Sequence, residues 1–388
     1  MLNINLVEVK MKKGKRSPVS CILVFLTLVI FLTVTACSGS SPSPTAPPKT
    51  IAPVATTAAP VSTTAAPVTT STTAAPATTA PASSGKITIK AVTFQPKTAT
   101  VLKTFGTYIN MIAEKSKGDI TINWVGGADV IPAFDQGGAV RDGVIDMAVL
   151  PTSYFSQLNA AIMATAILSQ YTPMDEYNNG ILDFMNSEAA KVNLHLIGRT
   201  ETNMTFHIGV KKPVAHYKEL AGRKMRDAVL FNSFTLALGC SSVTLAPTEV
   251  YNALDRGIID AYNFPYADVA DFSIFEVCKY FIDHTVYEAG NLVIIMNDKT
   301  FNSYPKDKQD ILMNTLKDYM PTLYTAVGDQ QGVAKKKMLA GGMTAIKFPD
   351  AEAKEYRDLA YSSFAAGVQK QLSPEIYSKV LAITTPKK

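Results

Sequence analysis

Cysteine, histidine and tryptophan are scarce: the 388 residues hold four Cys, four His and one Trp. The histidines, His195, His207, His216 and His284, are too scattered to form a metal triad, and neither HExxH nor CxxC occurs. No GxSxG, P-loop or strand-linked GxGxxG is present, so the common carriers of acyl-transfer, phosphate and dinucleotide chemistry are missing. These absences argue against an enzyme and against a resident metal or cofactor. Cys21 lies in an apolar leader and Cys37 at its end, which leaves Cys240 and Cys278 for a folded part. Both read as buried free thiols, with a disulfide between them the alternative that an oxidising compartment permits.

An excess of one charge is missing too. The formal net charge is +5, but Lys10, Lys12, Lys13, Lys15 and Arg16 against Glu8 put +4 in the leader, leaving +1 for the remainder. No basic face argues for nucleic acid. Long apolar runs are absent except Val19–Ala36. A basic start at residues 11–18, that apolar run and Val34-Thr35-Ala36-Cys37 together read as a secretory signal (1–36) ending in a lipobox, with Cys37 the lipidated residue. The signal more naturally begins at Met11 than at Met1. A retained membrane anchor is the alternative, since the run reaches the lower bound for a span.

Residues 37–85 hold the anchor Cys and a stretch of Ser, Thr, Pro and Ala, with TTAAP recurring at 56–60, 63–67 and 72–76. This composition offers too little apolar mass to offset the entropy of ordering and reads as a disordered tether. Fully extended it would span about 150 Å.

From Lys86 the chain alternates strands and helices, the pattern of a mostly parallel sheet with helices on its faces. Strands are expected at 87–91, 119–125, 144–150, 220–226, 242–245 and 258–262. Residues 192–215 are strand-like over a length that suggests strands crossing between lobes. One unit occurs twice: AVRDGVIDMAV at 139–149 and ALDRGIIDAYN at 253–263. Each is a helix end, a Gly suited to the left-handed stop, then a β-branched run carrying an Asp. Two such units imply two α/β lobes with a cleft, where small molecules bind. The last 90 residues read as mainly helical, with Pro321 placed to kink or split a long helix.

Residues 219–281, ELAGRKMRDA…LALGCSSVTLAPTEVYNALDRGIIDAYNFP…FEVCKYF, resemble the solute receptors of TRAP transporters, the DctP-like family. WVGGADVIPAFDQGGAVRDGVIDMAV upstream and MNDKTFNSYPKDKQDIL downstream extend the resemblance over nearly all of 86–388. It implies a two-lobe periplasmic-binding-protein fold (type II-like), with hinge strands and a long helix linking the lobes. Lobe one is expected at 86–203 and 292–331, lobe two at 204–291 and 332–388. It also implies a receptor that captures a small organic acid and delivers it to integral membrane permease subunits, without covalent chemistry.

By the same resemblance Arg226 grips the ligand carboxylate. The chemistry agrees, since a guanidinium offers paired N–H donors that match a carboxylate and stays charged in a closed cleft. The departures are Phe206, where sialic-acid-type members carry a second Arg, and Asn263-Phe264 within Asp260–Pro265, where the family commonly reads DGQENP. Two polar anchors have become aromatic. The expected ligand is therefore a monocarboxylate with an apolar or aromatic body, or a 2-oxo acid. From the first lobe Phe94, Asp129, Tyr154 and Phe155 are candidates, because they follow expected strands or occupy the glycine-flanked loop. The protein is expected outside the cytoplasm, lipid-anchored to an envelope membrane. A binding protein of an ATP-driven importer, or a sensor, remains open at this point.

Overall fold

The computed structural model describes residues 85–288 and 290–386. The expected leader, Cys37 and all of the tether but its last residue lie outside the described residues. In chain order the first part contains β1 (Ile87–Thr93), α1 (Lys103–Lys115), β2 (Ile120–Gly126), α2 (Gln136–Arg141), β3 (Met147–Pro151), α3 (Ala160–Leu168), α4 (Pro173–Glu176), α5 (Ile181–Ala190) and β4 (Leu194–Arg199). The middle contains β5 (Thr205–Val210), β6 (Lys224–Asp227), α6 (Asn232–Ala237), β7 (Ser241–Thr244), α7 (Val250–Asp255), β8 (Ala261–Pro265), α8 (Tyr266–Asp271), β9 (Tyr280–Ile282) and β10 (Tyr287–Glu288). The last part contains β11 (Leu292–Asn297), α9 (Asp298–Ser303), α10 (Lys306–Ala340), β12 (Thr344–Ile346), α11 (Asp350–Gln369) and α12 (Pro374–Thr384).

The strands form two sheets. The first has the order β2-β1-β3-β11-β4, and the second β12-β9-β5-β8-β6-β7, with β10 pairing to β5. In each, a parallel trio meets one antiparallel neighbour: β11 beside β3, and β5 beside β8. Central strands read as unbroken apolar runs because both faces are covered; every residue of β11 is buried. This is the two-lobe α/β fold of periplasmic binding proteins.

The expected strands at 144–150 and 258–262 begin three residues late. Val144 and Ile258 are 72% and 50% exposed. Their N–H groups bond back to Ala139 and Ala253 at 2.9 Å, so they finish the helix turn rather than start the strand.

Two connections and one helix cross between the sheets. Segment 200–204 joins β4 to β5, and residues 290–291 lead back into β11. They lie side by side: Thr200 N–H donates to the Leu292 carbonyl at 2.9 Å. A Cβ on Gly290 would fall 2.1 Å from the Glu201 carbonyl oxygen, so only glycine allows this approach. Arg199 braces the crossing through a buried ion pair with Glu176 at 2.7 Å and a hydrogen bond to the Gly290 carbonyl. α10 runs unbroken through Pro321. It meets α1 through Tyr108 Oη on the Leu312 carbonyl (3.0 Å) and meets α8 through Lys337 Nζ on the Ala270 carbonyl (2.8 Å). α12, in the segment expected in lobe two, packs instead on α3, where Gln170 N–H donates to the Thr384 carbonyl at 2.9 Å. Cys240 and Cys278 are both buried free thiols.

Candidate functional site

The carboxyl ends of β1, β3, β6 and β8 converge on one cavity between the sheets. Phe94, Pro151 and Tyr154 line it from the first lobe, and Arg226, Phe264 and Asp268 from the second. Ligand sites in α/β folds lie at this end of the strands because the loops there carry side chains into a shared crevice. The cavity is small, about 40 Å³.

Arg226 sits on β6, flanked by β7 and β8, and is 3% exposed. Its Nε and Nη2 donate to the Leu245 carbonyl at 3.0 and 2.9 Å, and Nη1 to the Asn263 carbonyl at 3.1 Å. The guanidinium carbon lies 4.3 Å from the centroid of the Phe264 ring. These partners are neutral, and no carboxylate pairs with Arg226 among the described residues. A guanidinium has five N–H groups. Three are committed to carbonyls, which leaves one on each terminal nitrogen, beside the Tyr154 hydroxyl, and a carboxylate fits such a fork. A buried cation without a counter-ion favours an anionic occupant.

The walls are aromatic. Phe94 meets Tyr154 edge-on at 5.9 Å, and Phe206 meets Phe231 at 5.2 Å. Burial raises the pKa of the Tyr154 hydroxyl, and the neighbouring Arg226 opposes that shift. Thus Phe94, Tyr154, Phe206, Arg226 and Phe264 line one cavity.

Three expected residues do not line the cavity. Asp129 is exposed; its carboxylate accepts from Gly127 N–H at 2.9 Å, closing its own loop, and it borders a shallow groove with Thr248. Phe155 is core, fully buried where α2 needs Gly137 to pass it. Asn263 contributes only its carbonyl; its side-chain amide is buried without a partner among the described residues.

Sequence reasoning missed the two carboxyls of the cavity, Glu201 and Asp268. Burial first, and then the charge of Asp268, pushes Glu201 up to about 8, against the backbone N–H groups of Leu292 and Asn291. Burial pushes Asp268 up to about 7, against the Gln95 hydrogen bond and Arg226. Asp268 had a faint signal, standing three residues after Pro265 in the first turn of a helix. Glu201 had none, because 192–215 reads as strand-like throughout and nothing in TETN singles out its carboxyl.

A family model described as bacterial extracellular solute-binding protein, family 7, matches residues 92–370. A monocarboxylate 2-oxoacid-binding periplasmic protein of Nostoc sp. is 23% identical over 282 residues, covering 69% of this chain and 77% of that protein. The solved structure of DctP7, a Bordetella pertussis extracytoplasmic solute receptor binding pyroglutamic acid, aligns with a TM-score of 0.67 at 15% identity, covering 76% of this chain and 99% of that one. A TRAP periplasmic solute binding protein from Desulfovibrio salexigens with bound orotic acid aligns with a TM-score of 0.67 at 17% identity, covering 77% and 100%. The chain belongs to bacterial extracellular solute-binding protein family 7, the DctP family.

Proposed function

We propose that this receptor captures a monocarboxylate with an apolar or aromatic body, or a 2-oxo acid, with Arg226 as the carboxylate anchor. The observation that carries the reading is the Arg226 guanidinium: buried, held by carbonyls, and left with one N–H on each terminal nitrogen that no backbone carbonyl takes, beside the Tyr154 hydroxyl. Phe94, Phe206, Phe231 and Phe264 give that anchor apolar neighbours, which suits an acid with an apolar body. The 2-oxoacid-binding relative supports the same class.

The reading divides the chain into lobe one (86–203 and 292–331) and lobe two (204–291 and 332–388), with α12 reaching back onto lobe one. Lipidated Cys37 and the tether to residue 85 hold the receptor near an envelope membrane, where it hands the acid to the permease. Closure over the ligand is a hinge movement about the crossing segments.

The test is a thermal-shift and calorimetric screen of organic acids on the purified protein. A ligand at 100 times its Kd stabilises by about 2.7 kcal/mol, roughly 5 °C or more in Tm. Arg226→Ala is expected to remove every response while the unliganded protein stays folded. Tight binding of a sugar acid with no response to apolar acids would overturn the ligand class, and a normal response from Arg226→Ala would overturn the anchor.

A further inference from the structure

Arg226 accounts for one end of the occupant, and the opposing wall has the opposite character. Glu201 and Asp268 both line the cavity and are each 5% exposed. One oxygen of each is already held. Glu201 Oε2 accepts from the N–H groups of Asn291 and Leu292 at 3.2 and 3.3 Å, and Asp268 Oδ1 accepts from Gln95 Nε2 at 3.2 Å. The second oxygen of each, Oε1 and Oδ2, has no donor among the described residues. Asn291 Oδ1, on the same wall, is also buried without a donor. Three acceptor oxygens of cavity-lining residues thus have no donor among the described residues.

An accepting wall selects against an occupant that presents only acceptors there. A keto oxygen accepts from at most one protonated carboxyl and leaves the other acceptors unpaired, and a second carboxylate adds like charge. A nitrogen carrying two or three N–H groups and a positive charge satisfies the wall, and the surrounding aromatic faces attract the same charge.

We propose that the occupant is a zwitterion, an amino or imino acid with an apolar body, whose carboxylate lies on Arg226 and whose charged nitrogen lies between Glu201 and Asp268. This rests on reading Arg226 as the carboxylate anchor, and within that reading it selects the nitrogen-bearing acids over the 2-oxo acids. The raised pKa values fit, since an empty cavity holds these carboxyls partly protonated at neutral pH. The incoming ammonium replaces those protons with its own N–H groups, so binding releases protons to solvent.

The test is calorimetry on the purified protein with matched sets: alanine, pyruvate and propionate; leucine, 4-methyl-2-oxopentanoate and 4-methylpentanoate; phenylalanine, phenylpyruvate and 3-phenylpropionate. In at least one set the amino acid is expected to bind about 100-fold tighter than its two partners. Its heat should vary with the ionisation enthalpy of the buffer, the signature of proton release. Glu201→Gln and Asp268→Asn should each weaken the amino acid at least about tenfold and narrow its lead over the oxo acid, while Arg226→Met abolishes all binding. If the oxo or plain acid binds as well as the amino acid in every set that binds, and that binding still needs Arg226, the zwitterion is excluded and the anchor stands. If no member of any set binds, both readings fall. Should Glu201→Gln not fold, the preference within the wild-type sets and Asp268→Asn still decide.

Discussion

In the first lobe β1 lies between β2 and β3, all parallel; in the second, β6 lies between β7 and β8, all parallel. Lys90 N–H on β1 donates to the Asp146 carboxylate at 2.8 Å, and Lys224 N–H on β6 donates to that of Asp260 at 3.2 Å. Gly143 and Gly257 stop the preceding helices with φ of +74° and +69°. Carried along the strands, this equivalence matches Val92 with Arg226, Phe94 with Ala228, Pro151 with Pro265 and Tyr154 with Asp268. The last three pairs all line the cavity. One backbone device is thus used twice to build the two sides of a mouth, and the side chains at matched positions divide the work. The first lobe supplies aromatic bulk where the second has Ala228 and a carboxyl, and the cation stands on the second lobe alone.

The comparison can be broken most sharply at its most unequal pair. Arg226→Ala should weaken ligand binding at least about 100-fold, the scale of removing one partner of a buried charged pair, with little change in the Tm of the unliganded protein. Val92→Ala, at the matching position, should do the reverse, costing about 2 kcal/mol of stability and leaving Kd within a few-fold, as calorimetry and thermal melts would report. Equal effects on binding would mean that both lobes contribute to the anchor.

The next contrast is Tyr154 against Asp268. Asp268 and Glu201 hold protons in the folded state that the unfolded chain has shed. Stability of the unliganded protein should therefore fall as pH rises from 6.5 to 8.5, by on the order of 2 kcal/mol. Urea melts across that window should lose the slope in Glu201→Gln/Asp268→Asn and keep it in Tyr154→Phe. A slope that survives the double substitution would place its source elsewhere.

Phe94→Ala, which gives the first lobe the residue that the second carries as Ala228, should weaken a small acid about tenfold by leaving apolar surface uncovered. The smallest effect tests likeness rather than difference. Gly143→Ala and Gly257→Ala should each cost about 1 kcal/mol, and by equal amounts, since only the left-handed φ is strained and no atom crowds either Cβ within 3.4 Å. Unequal losses would break the equivalence of the two turns.

Much of the scaffold was legible because local pattern carried it. The apolar strands and the glycine stops each depend on residues near in sequence. Val144 and Ile258 misled because β-branched residues after glycine look like strand, whereas hydrogen bonds back to the helix hold them in the turn. Arg226 was legible through its family wording and its place at a strand end. Asn263, a candidate by its place beside Phe264, instead holds Arg226 through its carbonyl. Asp129 and Phe155 were misjudged because nothing local distinguishes a loop closure or a core ring from a cavity wall. Glu201 and Asp268 lie on the cavity through contacts far apart in the chain: Glu201 with Asn291 and Leu292, Asp268 with Gln95. No window of sequence contains such a pairing.

α10 gives the mouth a mechanical property. Its 35 residues make a rod about 50 Å long. One end is fastened to the first lobe through Tyr108 and a Lys115–Asp318 pair, and the other to the second through Lys335 on Asp283 and Lys337 on the Ala270 carbonyl. Two bodies joined by a rod fixed at both ends cannot swing unless the rod flexes. Pro321, near mid-span, lacks the N–H that would brace the preceding turn, so the compliance is concentrated there. The helix then acts as a leaf spring, loaded as the lobes shut and straightening as they part. Stiffening it with Pro321→Ala should alter the rates of ligand capture and release more than the affinity.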